Sequence, residues 1–306
     1  MLLFNWMQKI TFKNFVWINL LSSEAENIRK VCKDYNFHHL AIEDCFSQIQ
    51  QPKIDDYDDY LFMVLHLPRH IKKSGRTIAL ELDVFLGKSF LITVHNGDLK
   101  SLNAYFTKIT SDPSLLKPSN TAYLLYEILS ETFSSCFPML QKIAEKLDRI
   151  EDDLYEDQSK KTLEEISVVA QDIINFRRII RPQRYFIQDL EATEPKFIAE
   201  KFDIYFDDIA DKIDRIWDLL DNYKEVCEVL MRTNESMLTQ RLNEVMKILT
   251  IISVIMLPLT VITGFYGMNI VGLPFANYHL AAEIIFGSLV AVVLGMLAYF
   301  KIKKWM

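Results

Sequence analysis

The residues best suited to chemistry are aspartates that recur at helical spacing near residue 210. They lie three or four residues apart, so a helix over about 202–223 would place them on one face: Asp207, Asp211, Asp214, Asp218 and Asp221. Such a stripe is usually a solvated helix face. Carboxylates four residues apart repel one another, however, and lower the stability of the helix. A run this dense therefore suggests that a cation lies nearby.

Other kinds of chemistry find little support in the sequence. It has no phosphate-binding loop, no His/Asp motif and no nucleophile paired with a base, so we expect neither an enzyme nor an organic cofactor. The net charge of −7 argues against a nucleic-acid partner and fits a surface that collects cations. The four cysteines lack metal-ligand or redox spacing, which predicts free thiols in a reducing compartment: Cys32, Cys45, Cys136 and Cys227.

Residues 1–117 mix helix and strand signals and are predicted to form a cytoplasmic α/β domain with a small sheet. We recognise no export signal at the N-terminus, so we expect the bulk of the chain to lie in the cytosol. The predicted elements are a helix over Ser22–Tyr35, a buried strand over Leu61–Leu67 that ends at Pro68, and a hairpin of Leu80–Phe85 with Ser89–His95.

Residues 118–246 are predicted to form a stalk of long helices. Two apolar stripes at helical spacing support this prediction: Ile143, Leu147, Ile150 and Leu154 form the first, and Phe206, Ile209, Ile213, Ile216 and Leu220 form the second. The acidic stripe falls on the second of these helices. Pro182 and Pro195 are predicted to break the helices or to mark turns.

Residues 247–306 are predicted to form a transmembrane domain. Residues 248–282 contain no Asp, Glu, Lys or Arg. The apolar runs at about 247–266 and 280–300 are each long enough to cross a hydrocarbon core of about 30 Å. Two such neighbouring runs make core helices of a soluble protein the weaker explanation.

The distribution of lysines predicts the orientation in the membrane. The external loop, residues 267–279, contains no lysine, whereas lysines flank both spans on the other side: Lys247, Lys301, Lys303 and Lys304. Positive charge is enriched on the cytoplasmic side, so both termini should be cytoplasmic. We therefore expect a multi-pass protein of the cell (inner) membrane.

One face of the first span is mildly polar or small, with residues three and four apart: Asn243, Met246, Thr250, Ser253, Leu257, Thr260 and Gly264. Two helices do not enclose an aqueous path, so conduction would require several copies of the chain, each contributing one helix. A tight helix–helix contact explains such a face equally well. A symmetric pore would require both, because the face would pack around the pore axis.

The first span ends at Tyr266-Gly267-Met268-Asn269, which resembles the signature of the CorA family of magnesium channels. The context resembles that family too, because this segment ends the first of two C-terminal spans after a long helix and an acidic domain. Three further segments resemble the family's pattern: Asn243–Lys247, Leu257–Thr260 and Pro52–Tyr57. The resemblance covers essentially the whole chain.

The resemblance implies an α+β membrane protein that assembles with other copies into a homopentameric funnel and conducts Mg²⁺, together with Co²⁺ and Ni²⁺. It implies an outer selectivity filter at Tyr266, Gly267, Met268 and Asn269, an inner polar ring at Asn243, and hydrophobic constrictions at Met246, Leu249 and Leu257. Mg²⁺ binds oxygen ligands and dehydrates reluctantly, so a ring of neutral Asn269 oxygens suits the hydrated ion. Capping of the helix end by Gly267 and Asn269 is the alternative. The family context favours the filter, and the two roles are compatible.

The resemblance also implies that cytoplasmic Mg²⁺ regulates the channel. The ion would lie between a carboxylate of the sheet domain and one in the stalk of the next subunit. By position these match Asp98 and then Asp208, or its neighbours Asp207 and Asp211. A solvated acidic surface is the alternative reading of these aspartates.

The external loop departs from the family pattern. Family members often carry acidic residues there, whereas Ile270–His279 carries none. Gly272-Leu273-Pro274 resembles the loop of the ZntB-type branch, which is associated with zinc, although the Gly-Met-Asn triplet favours the magnesium branch. A zinc transporter therefore stays open as an alternative. So does a membrane-anchored cation sensor or scaffold that does not conduct, although a plain anchor would need no polar stripe.

Overall fold

The structure is a computed structural model, and it describes residues 8–47, 51–71, 75–112, 120–155, 159–193, 203–269, 273–274 and 279–305. The chain divides into two compact units, Met1–Met231 and Arg232–Met306. The division into three domains, with boundaries after residues 117 and 246, remains a prediction.

The described residues of the first unit form a six-stranded mixed sheet. Its strands are β1 Gln8–Thr11, β2 Val16–Leu21, β3 Lys53–Asp56, β4 Tyr60–Ile71, β5 Arg76–Gly87 and β6 Phe90–His95. They lie in the order β1-β2-β6-β5-β4-β3, with β2 parallel to β6 and every other neighbouring pair antiparallel. A parallel pair needs a crossover, and the chain between β2 and β6 includes helices α1 (Ala25–Asp34) and α2 (His39–Asp44).

Large aromatic side chains fill the core around the sheet. Trp17, Phe62 and Phe85 are fully buried. The ring of Phe37 stacks on the ring of Phe85 with 4.2 Å between centroids. The Trp17 indole N–H donates to the Thr93 hydroxyl at 3.1 Å, so this buried donor is satisfied.

Three local predictions concern α1, the hairpin and the strand before Pro68. α1 begins at Ala25, within the predicted helix, and the hairpin is confirmed, with Leu86 opposite Leu91. The predicted end at Pro68 is wrong, because β4 continues for three residues beyond it. Within the described residues β3 pairs only with residues 61–64 of β4, so β4 has an open edge at Pro68, where a missing N–H is tolerated.

Within the described residues, six further helices follow the sheet. They are α3 Lys100–Ser111, α4 Thr121–Ser134, α5 Phe137–Tyr155, α6 Ser159–Thr193, α7 Asp203–Tyr266 and α8 Ala281–Ile302. The two predicted apolar stripes, on α5 and α7, are buried from end to end. This confirms long helices whose apolar faces pack inside the chain.

The break predicted at Pro182 is wrong, because α6 continues through this residue. Proline removes one backbone hydrogen bond from a helix interior, which usually ends or kinks it. Here Ile180 and Ile187 on the same face are fully buried, and their packing holds the helix on both sides of the proline. Pro195 lies outside the described residues.

The described part of the second unit consists of the C-terminal part of α7 and of α8. Both helices are long and apolar enough to cross a membrane, and their apolar windows are almost entirely exposed. Within this unit Lys247 Nζ donates to the Lys304 carbonyl at 3.3 Å, and the rings of Phe300 and Trp305 stack at 5.9 Å. Core helices of a soluble protein would be buried, so this exposed surface requires lipid or other helices around it.

Candidate ion pathway and regulatory carboxylates

The predicted pore stripe is an exposed face of α7. The relative exposure is 59% for Met246 and 67% for Leu257, and it is 56% for Leu249, the remaining predicted constriction. The remaining members of the stripe are exposed as well: Asn243, Thr250, Ser253, Thr260 and Gly264. Apolar side chains this exposed in a single chain require a cover. Whether that cover includes other copies of the chain around a pore remains a prediction.

The hydroxyl groups of the stripe donate to the backbone of their own helix. Thr250 Oγ1 donates to the Met246 carbonyl at 2.7 Å, and Ser253 Oγ donates to the Leu249 carbonyl at 2.8 Å. Thr260 does the same to the carbonyl four residues before it. A hydroxyl oxygen whose proton is engaged in this way keeps acceptor lone pairs. The stripe therefore offers acceptors to a neighbour, which suits a cation or its bound water.

The chain leaves α7 through Gly267, immediately after Tyr266. The Gly267 N–H donates to the Thr263 carbonyl at 2.8 Å, and a Cβ placed on Gly267 would lie 2.9 Å from that carbonyl oxygen. Backbone at this distance leaves no room for a side chain, which explains the glycine. Met268 and Asn269 follow it and are exposed. The filter roles of these four residues remain predictions.

The external loop is described in part. Leu273 and Pro274 belong to the described residues, whereas Gly272, the first residue of the segment that resembles the zinc branch, lies outside them. The effect of this loop on the choice of metal therefore rests on the sequence.

Asp98 lies in the turn after β6 and forms an ion pair with Arg69 of β4. Its N–H donates to the Asn96 side-chain oxygen at 3.1 Å, and Gly97 has a φ of +86°, a left-handed conformation that favours glycine. The Arg69 guanidinium holds the pKa of Asp98 below its usual value. A metal ion bound by Asp98 would therefore compete with Arg69.

Asp208 also has partners within its own chain. It accepts hydrogen bonds from Lys212 Nζ at 2.5 Å and from the Tyr126 hydroxyl at 3.0 Å. The Lys212 ammonium is the main reason that the pKa of Asp208 lies below its usual value. Asp207 and Asp211 are exposed. Among the described residues no three His, Cys, Asp or Glu side chains come together as a metal site, so the regulatory site remains a prediction that needs a second copy.

Arginines of α6 accompany the acidic stripe of α7. Arg184 Nε lies 2.6 Å from Asp214 Oδ1, and Arg177 Nη1 lies 2.7 Å from Asp221 Oδ1. Arg177 also lies over the Trp217 ring, 4.5 Å from its centroid. The dense acidic stripe suggested a nearby cation, and at Asp214 and Asp221 that cation is an arginine side chain of α6. The two arginines are seven residues apart, which is two helical turns, and this spacing was a signal that the sequence analysis missed.

The cysteines are free and buried. Burial raises the pKa of the Cys32 and Cys227 thiols to about 11. Burial also raises the pKa of the Cys45 and Cys136 thiols. Thiols with a raised pKa stay protonated near neutral pH, so these residues are poor metal ligands and poor nucleophiles.

Residues 12–304 match the family model described as CorA-like Mg²⁺ transporter protein. The chain belongs to this family. It is 28% identical over 289 residues to the putative metal ion transporter YfjQ of Bacillus subtilis, covering 94% of this chain and 89% of that protein. It is 25% identical over 291 residues to the cobalt/magnesium transport protein CorA of Thermotoga maritima, covering 95% of this chain and 83% of that protein.

The fold is similar to the complete structure of the CorA magnesium transporter from Methanocaldococcus jannaschii, with a TM-score of 0.87 and 21% identity over 97% of this chain and 94% of that one. The zinc transport protein ZntB of Yersinia enterocolitica is 21% identical over 223 residues, covering 73% of this chain and 67% of that protein. The family is one of transporters rather than enzymes. This chain is therefore a membrane protein and a CorA-family divalent-cation transporter.

Proposed function

We propose that five copies of this chain form a channel that imports Mg²⁺, with Co²⁺ and Ni²⁺ as further cargo, across the cell (inner) membrane. The observation that carries this proposal is the exposed stripe of α7, which is lined with hydroxyl acceptors and leads to Gly267 and Asn269. The names of relatives that transport cobalt and magnesium support the choice of ions. The flanking lysines support cytoplasmic termini.

In this channel each subunit contributes one α7 to the pore. Asn243 forms an inner polar ring, and Met246, Leu249 and Leu257 form apolar rings that exclude water when they close. The hydroxyl groups along the stripe hydrogen-bond the water around a passing ion. At the outer end the Asn269 amide oxygens receive the hydrated ion. Neutral oxygens hold it weakly enough to release it.

Cytoplasmic Mg²⁺ closes the channel by binding between subunits. Asp98 of one copy and Asp208 of the next provide carboxylates, with Asp207 and Asp211 beside the second. The ion must displace Arg69 from Asp98 and Lys212 from Asp208. These intrachain cations lower the affinity of the site, which suits a sensor that responds only when cytoplasmic Mg²⁺ is plentiful.

Zinc is the second candidate cargo. The zinc-transporting relative and the uncharged external loop favour it. A loop without carboxylates attracts hydrated divalent ions less strongly. The filter residues would then determine ion selectivity to a greater extent than the loop. A non-conducting sensor is disfavoured because a plain anchor does not need hydroxyl groups along one helix face.

Ion uptake into liposomes tests the proposal. The purified full-length chain is reconstituted, and uptake of Mg²⁺, Co²⁺, Ni²⁺ and Zn²⁺ is compared under one membrane potential. We expect Mg²⁺ uptake that Asn269→Ala abolishes while the oligomer persists by size-exclusion chromatography. Asn277→Ala removes the same amide group from another position of the predicted external loop, and it should leave uptake intact. Uptake of Zn²⁺ alone would replace magnesium with zinc, and no uptake of any ion would favour the sensor.

A further inference from the structure

A cavity of about 760 Å³ opens in the first unit where β4 and β5 meet α3, α4, α5 and α6. Its apolar lining comes from both the sheet and the helices: Leu67, Leu80, Leu99, Met139 and Ile143. Sites for small organic ligands have volumes of roughly 300–1,000 Å³ and a largely apolar lining with a few polar groups. The cavity therefore has the size and the lining of a ligand site. It is distinct from the ion pathway on the C-terminal part of α7, but it shares Asp98 with the proposed regulatory site.

The charged lining of the cavity has one more permanent cation than it has carboxyl groups. Four permanent cations, Arg69, Lys100, Lys142 and Lys146, stand against three carboxyl groups, Asp98, Glu131 and Asp172. Two of the three carboxyl groups are already engaged. Asp98 pairs with Arg69, and the buried Asp172 accepts the Thr77 N–H and lies 3.4 Å from His70 Nδ1. The three lysines therefore face Glu131 alone, in a chain whose net charge is −7.

The three lysines line the cavity from two helices. Lys142 and Lys146 lie one turn apart on α5, where like charges repel each other and destabilise the helix. Lys100 is the first residue of α3, and its N-cap residue Leu99 provides no side-chain hydrogen bond to the helix. The N-terminus of α3 adds a further positive partial charge beside the same cavity, where Ser101 also lies. An anion in the cavity would relieve both unfavourable features.

We propose that this cavity binds an organic phosphate of about nucleotide size. Lys100, Lys142 and Lys146 hold its phosphate groups, and its less polar body lies against Leu80 and Ile143. An inorganic anion would leave the apolar lining unused, and a neutral apolar molecule would make no use of the lysines, of which Lys100 and Lys142 are exposed. Lysine ammonium groups and helix N-termini are both common phosphate binders. The proposal does not depend on ion transport.

Calorimetric titration of ADP into the full-length chain in detergent tests this proposal, in buffer depleted of divalent cations. We expect saturable binding of one ADP per chain. Lys142→Ala with Lys146→Ala should weaken it by about tenfold or more for each lysine, because hydrogen bonds to charged groups are lost. The arginine pair at the same positions should retain binding. Lys30→Ala with Lys33→Ala, an exposed pair on α1, makes the same change of charge and should leave binding unchanged.

Ser101→Glu separates ligand binding from stability. A carboxylate in the first turn of α3 stabilises the helix, so the unfolding temperature should stay constant or rise. The same charge should repel phosphate and abolish ADP binding. Absence of ADP binding at millimolar concentration would overturn the proposal. So would ADP binding that survives Lys142→Ala with Lys146→Ala, or binding no tighter than that of inorganic phosphate, which would mean an adventitious ion only.

Discussion

Replacing Gly267 with alanine places a methyl group where the end of α7 has no room for one. The added Cβ would lie 2.9 Å from the Thr263 carbonyl oxygen, and ordinary contacts begin at 3.4 Å, so the backbone must shift by about 0.5 Å. An overlap of this kind costs about 1–3 kcal/mol when the surroundings resist it. Gly267 is the first residue after the helix, so the chain that follows it is expected to move more easily than the helix itself.

The residue displaced by this shift is Asn269, two positions further along. A misplacement of about 1 Å in a positioned group can cost about a hundredfold in rate, so a shift of half that size predicts a loss of about tenfold in Mg²⁺ uptake. Uptake is measured in liposomes with an internal Mg²⁺-sensitive dye. Gly295→Ala in α8 provides the matched control, because a Cβ there meets no atom within 4 Å. That variant should transport normally.

Two results would refute this reasoning. Uptake by Gly267→Ala at the rate of the unmodified chain would mean that the position of Asn269 does not control permeation. Loss of the oligomer in size-exclusion chromatography would mean that Gly267 acts in assembly instead. A variant that assembles and conducts poorly, beside a normal Gly295→Ala, supports the filter at this end of α7.

Three further predictions concern the gate, a buried carboxyl group and the regulatory site. Leu249→Ala and Leu257→Ala should each leak Mg²⁺ at high internal Mg²⁺, because a smaller apolar ring dewets less readily; dye-loaded liposomes measure the leak. Burial raises the pKa of Asp83 well above the ordinary 3.8, so its stabilising contribution is complete below about pH 3.8 and is lost as the pH rises toward the folded-state pKa. Relative to Asp83→Asn, the unfolding free energy should therefore fall by up to about 1.4 kcal/mol per pH unit in that window, which thermal unfolding at several pH values measures. Millimolar Mg²⁺ should protect the chain from proteolysis, and changing Asp98 and Asp208 together to Ala should remove this protection.

Each of these predictions has its own control variant. Ile248→Ala changes an exposed residue on the opposite side of α7 from the stripe and should not leak. Asp56→Asn changes an exposed aspartate of β3 and should not alter the pH dependence. Asp148→Ala with Asp152→Ala removes two exposed carboxylates from α5 and should keep the Mg²⁺ protection. A Leu257→Ala channel that does not leak Mg²⁺ would contradict the first prediction. An unfolding free energy that depends on pH in the same way with and without Asp83→Asn would contradict the second. Protection from proteolysis that survives the double change at Asp98 and Asp208 would contradict the third.

The sequence predicted those parts of the fold that short-range periodicity determines. Ile143, Leu147 and Ile150 are buried because an amphipathic helix has one face to bury, and this is visible in a few turns of sequence. Pro182 was misjudged because the packing of Ile180, which depends on residues far away in the sequence, outweighs the local cost of the proline.

Nonlocal pairing also explains what the sequence did not predict about the strands and the site. Pro68 is tolerated in β4 because, among the described residues, β3 pairs only with residues 61–64 of that strand. The sequence of β4 does not show how far its neighbour extends. The sequence does not show that Asp98 and Asp208 already pair with Arg69 and Lys212 of the same chain. A metal ion at either carboxylate would have to compete with that partner.

The contrast between the two stripes of α7 connects the fold with the proposed pathway. The first stripe, from Phe206 to Leu220, consists of large apolar residues and is buried within the chain. The second, from Asn243 to Gly264, replaces most of them with Thr, Ser and Gly and is exposed. Large side chains release more free energy per residue on burial, about 1.5–3 kcal/mol each, and can fix a helix against its own chain. Small and hydroxyl-bearing residues release little, so their place on a membrane helix is explained by close approach of other helices or by contact with water and ions. The change in side-chain size along one continuous helix thus coincides with the change from a buried face to an exposed one.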